Sequence, residues 1–325
     1  MSSYVPETAK RIFELAEKLG NAEAAKQLGI KIESVRRAIV AHKNNISPEE
    51  KVKDFNPNAT LKKIQELYSD KELMAIANGG RILPGLEKVP IISFEGKHIK
   101  IGVLTDTHIG HQKFSEDRLF QAFEEFRKEK VDFITHSGDV CEGMSHRPGH
   151  IYELDQLGYE QQKEYAIKLF SQWTDTDIYA IDGNHDRWFI KSNGAYVVKD
   201  IDRRLENFHF IGHDEGDISL DGRATLKLWH GEDGNSYALS YRIQKIIESF
   251  SGGEKPSILL AGHTHKYVKV FERNITAISA GCIEAQTSWM RGKRIAAAVG
   301  FVILDVWVGE KGITKIGDTW FPFYC

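Results

Sequence analysis

One arrangement recurs five times along this chain: a short apolar run rich in β-branched residues stops at a small group of Asp, Asn or His. Ile99–Leu104 runs into Asp106-Thr107-His108, and Val131–Thr135 into Gly138-Asp139. Ile178–Ile181 runs into Gly183-Asn184-His185-Asp186, Leu226–Trp229 into His230-Gly231, and Ile258–Leu260 into Gly262-His263-Thr264-His265. Apolar runs of this length, bounded by turn residues, read as strands. Amphipathic stretches at Arg118–Lys128 and Gln161–Trp173 read as helices between them. Strand–helix alternation implies an α/β layer, whose strand-to-helix loops converge at the carboxyl edge of the strands, where ligands bind. Further strands are expected at Phe208–Ile211, Val268–Glu272, Thr276–Ser279, Val299–Val306 and Ile313–Ile316. Alternation followed by a β-rich final third favours a sandwich over a barrel.

The residue types gathered at that edge are Asp, Asn and His, without Cys. Carboxylate and imidazole donors suit Mn, Fe, Ni or Zn. Asp106, His108, Asp139, Asn184, His230, His263 and His265 are too many for one tetrahedral ion and fit two ions sharing a carboxylate. A glycine directly precedes Asp139, Asn184 and His263, which lets the backbone turn sharply into a crowded site.

The order D-x-H, G-D, G-N-H-D, H, G-H-x-H over residues 98–282 resembles the calcineurin-like metallophosphoesterase family. The resemblance implies a four-layer α/β/β/α sandwich. It also implies roles: Asp106, His108 and His265 hold one ion, Asn184, His230 and His263 the other, and Asp139 bridges them. His185 would face the scissile phosphate as a catalytic residue rather than a ligand, and Asp186 would orient that imidazole or a ligand from behind. Two divalent ions, Mn2+ first with Fe, Zn or Ni as alternatives, would serve an in-line displacement at phosphorus. Asp106-Thr107-His108-Ile109-Gly110 is similar to the D-x-H-x-G of the double-strand-break-repair nuclease branch. The chain departs from the family pattern after Gly138-Asp139, where Glu142 stands in place of a further Asp or Asn. His111, His136, His146, His150 and His213 are expected on the surface or behind the ligands, Cys141 in the packing, and Arg187 and Trp188 along the substrate cleft.

Residues 1–45 read as a small all-helical module. Ile12, Leu15, Ala16 and Leu19 share one helical face, and Asn21 is placed to cap a second helix, Ala22 to Leu28. Gly29 breaks that helix, and a third follows from about Ile32 to Lys43 with Val35, Ala38 and Ile39 inward. The spacing of Ala25, Gly29 and Val35 resembles a helix-turn-helix, with a small residue at the crossing and glycine at the turn. Lys31, Ser34, Arg36 and Arg37 are its candidate nucleic-acid contacts. Residues 46–90 read as a linker carrying a helix near Leu61–Ala77, and 91–325 as the phosphoesterase domain. A phosphoesterase joined to a helix-turn-helix also resembles metallophosphoesterases encoded by bacteriophages.

Charge follows the same division. Residues 1–53 hold ten Lys and Arg against seven Glu, +3, so with −3 for the whole chain the remainder carries −6. A basic head on an acidic body suggests separate tasks. Three cysteines without C-x-x-C spacing argue against a disulfide framework, and no apolar run reads as a signal peptide or membrane span. A cytoplasmic protein is expected, in the host cytoplasm if the source is viral. Three functions fit these features: a metal-dependent DNA nuclease or phosphodiesterase, a phosphatase or phosphodiesterase of nucleotides and other small esters, and a DNA-binding regulator with a structural phosphoesterase domain.

Overall fold

A computed structural model describes residues 6–45, 92–232, 238, 240–251 and 255–324. The expected linker and its helix near Leu61–Ala77 lie outside the described residues. The chain forms two compact units, Met1–Ile82 and Leu83–Cys325.

In the first unit, helices α1 (Pro6–Leu19), α2 (Asn21–Leu28) and α3 (Ile32–Asn45) enclose a core of Ile12, Ala16, Ala24, Ala25, Val35 and Ala38. Small residues predominate because short helices meet closely. Leu19 does not join this core and is 44% exposed. Asn21 opens α2 rather than capping it; Gly20 occupies the cap position without a side-chain hydrogen bond. Gly29 ends α2 at φ 62°, a left-handed conformation that glycine adopts without a Cβ penalty, and so permits the turn into α3.

The second unit holds two six-stranded sheets. The first sheet contains β2 (His98–Leu104), β3 (Phe133–Ser137), β4 (Ile178–Asp182) and β5 (Phe208–His213), all parallel. Antiparallel β11 (Gly300–Gly309) and β12 (Gly312–Pro322) complete it, in the order β12-β11-β2-β3-β4-β5. The second sheet has the order β1-β6-β7-β8-β10-β9. Its strands are β1 (Ile92–Phe94), β6 (Glu215–Leu220), β7 (Ala224–Trp229), β8 (Ile258–Ala261), β9 (Tyr267–Glu272) and β10 (Ile275–Ala280). Strands β7, β8 and β10 are mutually parallel at its centre.

The sheets pack face to face through one apolar layer, with Ile101, Val103, Ile181, Val302 and Leu304 from one and Ile218, Leu226, Leu228, Leu260 and Ile278 from the other. Helices α4 (Glu116–Glu129), α5 (Gly158–Phe170), α6 (Asp186–Asn193) and α7 (Val197–Asp202) cover the first sheet through Phe123, Phe126, Leu169, Phe170, Phe189 and Ile201. Helix α8 (Tyr241–Ser249) covers the second through Ile243 and Ile247 against Leu259 and Ala277. The layers are therefore α/β/β/α, as the family resemblance implied. Among the described residues no helix is long and apolar enough to cross a membrane.

Candidate metal centre

The carboxyl ends of β2, β3 and β4 in one sheet and of β7 and β8 in the other open onto the same cleft, so residues from 106 to 265 meet at one point. The loops are tied together by backbone. The Asp106 N–H donates to the Gly138 carbonyl (3.0 Å), the His108 N–H to the Asp139 carbonyl (3.0 Å) and the Gly262 N–H to the Trp229 carbonyl (3.0 Å). Across the sheets, the His263 N–H donates to both carboxylate oxygens of Asp106 (3.0 Å each).

All seven sequence-derived ligand candidates are brought together. Asp106, His108 and His265 form one buried cluster, and Asp139, His230 and His263 a second. The Nε2 atoms of His108 and His265 face each other at 3.0 Å, a separation that calls for a proton or a cation between the lone pairs. In the second cluster Asn184 Oδ1 stands 3.2 Å from His230 Nε2 and 2.9 Å from His263 Nδ1. Asp139 Oδ2 lies between the clusters, 3.0 Å from His230 Nε2 and 3.7 Å from His108 Nε2. This donor set of imidazole, carboxylate and amide oxygen, divided around one shared carboxylate, fits a binuclear site for borderline divalent metals. His230, identified by the shortest of the five motifs, is fully buried, and its Nδ1 donates to the Ser137 carbonyl (2.6 Å), which turns Nε2 to the cluster.

Electrostatics agree with this division. Burial alone would raise the Asp106 and Asp139 pKa values, but the surrounding histidines, His265 for Asp106 and His230 for Asp139, hold both carboxyls well below the usual range. Burial and the neighbouring His230 push His263 down to about 4, so it presents a neutral ring. For His185 burial acts downward, but Glu142 and Asp139 raise the pKa above the ordinary value.

Two glycines of the motifs are required for space as well as for turning. A Cβ on Gly183 would lie 2.1 Å from Asp139 Oδ1, and one on Gly262 would lie 2.4 Å from Thr105 Oγ1. Five of the site residues themselves lie at positive φ: Asp106 49°, His108 50°, Asp139 52°, His263 72° and His265 51°.

Of the two tasks expected for Asp186, the structure shows support behind the candidate ligands rather than a hold on the His185 ring. The Asp186 carboxylate is turned to backbone and accepts from the N–H groups of Val140 (3.0 Å), Cys141 (2.8 Å) and Gly183 (2.9 Å), which joins the loops that carry Asp139 and Asn184. Burial, with the nearby Asp139 charge, raises its pKa to about 7 against the lowering effect of those amides. The His185 imidazole is held instead by Glu142: Nδ1 lies 2.9 Å from the Glu142 carbonyl oxygen and 3.3 Å from Oε2. Trp188 packs against that ring with centroids 3.9 Å apart.

The cleft has a volume of about 450 Å³ and is flanked by Trp188, Trp289, Arg147, Glu153, Glu232 and Glu284. Arg187 is absent from this lining; it pairs with Asp182 (3.4 Å), Glu232 (2.6 Å) and Asp214 behind the wall. Trp289, on helix α9 (Ser288–Gly292), and Glu284, buried just after β10, were not read from the sequence. The available signal for Glu284 was one more strand, Ile275–Ala280, ending at the same edge.

In the helical unit Lys31, Arg36 and Arg37 are exposed and Ser34 is half-buried. Arg36 makes a surface contact with Glu33 at 3.5 Å.

A family model described as the calcineurin-like phosphoesterase superfamily domain matches residues 99–306. Among curated proteins, the DNA polymerase II small subunit of Halobacterium salinarum is 23% identical over 250 residues, covering 65% of this chain and 49% of that protein. The DNA polymerase II small subunit of Methanothermobacter thermautotrophicus is 24% identical over 273 residues, covering 70% and 55%. The chain thus spans about half the length of the curated relatives it matches. Among solved structures, a novel archaeal phosphodiesterase aligns at a TM-score of 0.42 and 19% identity, over 69% of this chain and 100% of that one. A putative 5′-nucleotidase from Staphylococcus aureus aligns at 0.40 and 14%, over 69% and 54%. The family match spans well over half the chain and takes in every residue of the two clusters, so the chain belongs to the calcineurin-like phosphoesterase superfamily.

Proposed function

We propose that the protein is a two-metal-dependent phosphodiesterase that cleaves DNA, with Asp106, His108 and His265 holding one divalent ion, Asn184, His230 and His263 the other, and Asp139 shared. The observation that carries the reading is the convergence of all seven residues, from both sheets, into two clusters around one carboxylate. When bound, divalent ions at such a site supply Lewis acidity at the phosphoryl oxygens and a nucleophile near neutral pH, with Mn2+ the first choice.

The remaining chemistry belongs to the chain. His185 sits at the cleft with its Nδ1–H directed at the Glu142 carbonyl, which leaves Nε2 to carry a proton. Glu142, at Nδ1 of the ring, favours its protonated form, the form that can give a proton to the departing ester oxygen. Asp139 accepts the His185 N–H (2.8 Å) through Oδ1, so the shared carboxylate and the proton donor are fixed to one another. Asp186 holds the loops behind them.

DNA as substrate draws on three supports: the helix-turn-helix-like unit with its exposed Lys31, Arg36 and Arg37, the D-x-H-x-G run, and relatives named as subunits of a DNA polymerase. A specific observation favours a second reading. The cleft is small and flanked by Glu153 and Glu232, which suits a nucleotide or other small ester better than a long polyanion. In the DNA reading the helical unit brings the polymer and the cleft takes only the scissile nucleotide.

The test is to incubate the protein with Mn2+ and compare labelled single- and double-stranded DNA with bis-p-nitrophenyl phosphate and p-nitrophenyl phosphate, using His185→Ala and Asp139→Asn as controls. DNA cleavage lost in both variants is expected. Turnover confined to the small esters would replace the DNA reading with the second one. A lack of any turnover, with Asp139→Asn unchanged in a DNA-binding assay, would favour a regulator.

A further inference from the structure

We infer that His150 is a positioning residue of the metal centre, acting through Glu142 to fix which ring nitrogen of His108 faces the cluster. The inference rests on the metal reading of His108 and is independent of which ester is cleaved.

His150 opens a short 3-10 helix, His150–Glu153, in the loop between β3 and α5, eleven residues beyond Asp139 and outside every motif. It is 1% exposed although flanked by surface residues. The Ser145 backbone N–H donates to its Nδ1 (3.1 Å). A nitrogen that accepts carries no proton in the neutral ring, so the proton is on Nε2. That Nε2–H lies 2.7 Å from Glu142 Oε1 and donates to it.

Glu142, 4% exposed, has its second oxygen 2.6 Å from His108 Nδ1. A carboxylate only accepts, so Nδ1 of His108 carries the proton and its lone pair resides on Nε2. Nε2 is the atom that meets His265 Nε2 at 3.0 Å and points toward Asp106 and Asp139 at 3.8 and 3.7 Å. A hydrogen-bond path therefore runs from a backbone amide through His150 and Glu142 to a ligand atom. An imidazole ligand fixed in this way, by a carboxylate at its outer nitrogen, is pre-oriented for metal.

His150 fills one carboxylate oxygen of Glu142 and so prevents the group from rotating to share both oxygens with His108 and His185. It is held in place itself, with the Trp188 ring edge-on at 5.6 Å. Trp188 in turn packs on His185, so the same residue braces the ligand side and the proton-donor side.

Two substitutions separate positioning from packing. His150→Phe keeps a ring against Trp188 and removes the donor; His150→Gln restores an N–H donor without the ring. Calorimetric titration with Mn2+ alone should show one of two binding equivalents weakened about 10–100-fold in His150→Phe and restored to within a few-fold of the parent in His150→Gln. In Zn2+-loaded protein carrying 15N-histidine, the His108 signals should report a protonated Nδ1 and a metal-bound Nε2 in the parent and in His150→Gln. That pattern should be lost or mixed in His150→Phe. Parent-like metal affinity and an unchanged His108 signature in His150→Phe would overturn the inference. So would equal losses in both variants, because a donor would then be irrelevant. Neither measurement uses a substrate, so a failure of the DNA reading leaves this outcome legible.

Discussion

At the residue scale the site depends on conformations that side chains rarely choose. Asp106, His108, Asp139, His263 and His265 all lie at positive φ. Such positions cost on the order of 1–3 kcal/mol each and persist only where their surroundings over-determine them. Here the surroundings are interlocked backbone bonds and glycines that leave no room for a methyl group. Gly183 illustrates this most directly, since its Cβ would stand 2.1 Å from Asp139 Oδ1 and 2.4 Å from the Asp139 backbone N. Gly183→Ala should displace the shared carboxylate and lower kcat by about 10²-fold, as expected for a displacement near 1 Å. Its melting temperature should fall as well, by several degrees, because the overlap includes backbone. Full activity in the alanine variant would show that Asp139 tolerates a shift. The convergence of the seven candidate ligands was legible in the sequence because each sits beside a strand and is marked by residue type. Glu142, His150 and the task of Asp186 were less so. Their partners are backbone amides and side chains far along the chain, and hydrogen bonds of that kind leave no periodic trace.

At the scale of elements, strands and helices with a clear period were found where expected, among them β2, β4, β8, α4 and α5. The elements that went unread did so for different reasons. Strand β6 begins Glu215-Gly216-Asp217, and with glycine at its first buried position only Ile218 and Leu220 mark its inward face in the sequence. Helix α6 starts at Asp186, inside the G-N-H-D motif, so its first turn was read as chemistry rather than structure. The same helix corrects the expectation for Arg187. Instead of lining the cleft for phosphate, its side chain is 12% exposed and joins α6 to Asp182 at the end of β4, to Asp214 in the β5–β6 turn and to Glu232 after β7. Removing one partner from a largely enclosed ion-pair group leaves the others uncompensated. Because Asp214 and Glu232 are about half exposed, solvent screens part of that loss. Arg187→Ala should therefore lower stability by about 1–3 kcal/mol in urea unfolding, with KM for bis-p-nitrophenyl phosphate unchanged. A large rise in KM at unaltered stability would return Arg187 to the cleft.

At the scale of the whole molecule, the two clusters draw their candidate ligands from both sheets, so metal held there would be coupled to the packing of the sandwich, with a defined pH dependence. In the metal-free protein burial alone would lower the His230 pKa, but the charge and hydrogen bond of Asp139 lift it to about 9. A raised imidazole pKa stabilises the fold fully below the unfolded value near 6.5, and that contribution is lost as pH rises through 9. Metal binding requires the neutral ring, so affinity moves the other way and strengthens over the same interval. Melting temperatures of metal-free and anaerobic Mn2+-loaded protein should diverge from pH 6.5 to 9, the free form falling and the gap widening; a constant gap would show that metal displaces no proton from His230 or from the likewise raised His108 and His265. A sandwich was legible because alternation and a β-rich tail leave few ways to bury two sheets, while the four-layer order came from the family resemblance. The task of the helical unit was not, because a three-helix core of small residues serves many partners. Charge separates the possibilities. If Lys31, Arg36 and Arg37 neutralise phosphates, Arg36→Ala with Arg37→Ala should weaken DNA binding about equally for unrelated sequences. The double variant should also reduce the slope of log affinity against log salt by about 2. Hydrolysis of bis-p-nitrophenyl phosphate should be unaffected, since both arginines belong to the other compact unit. An unchanged salt slope would assign the helical unit to a protein partner, and the phosphoesterase would then meet its substrate without it.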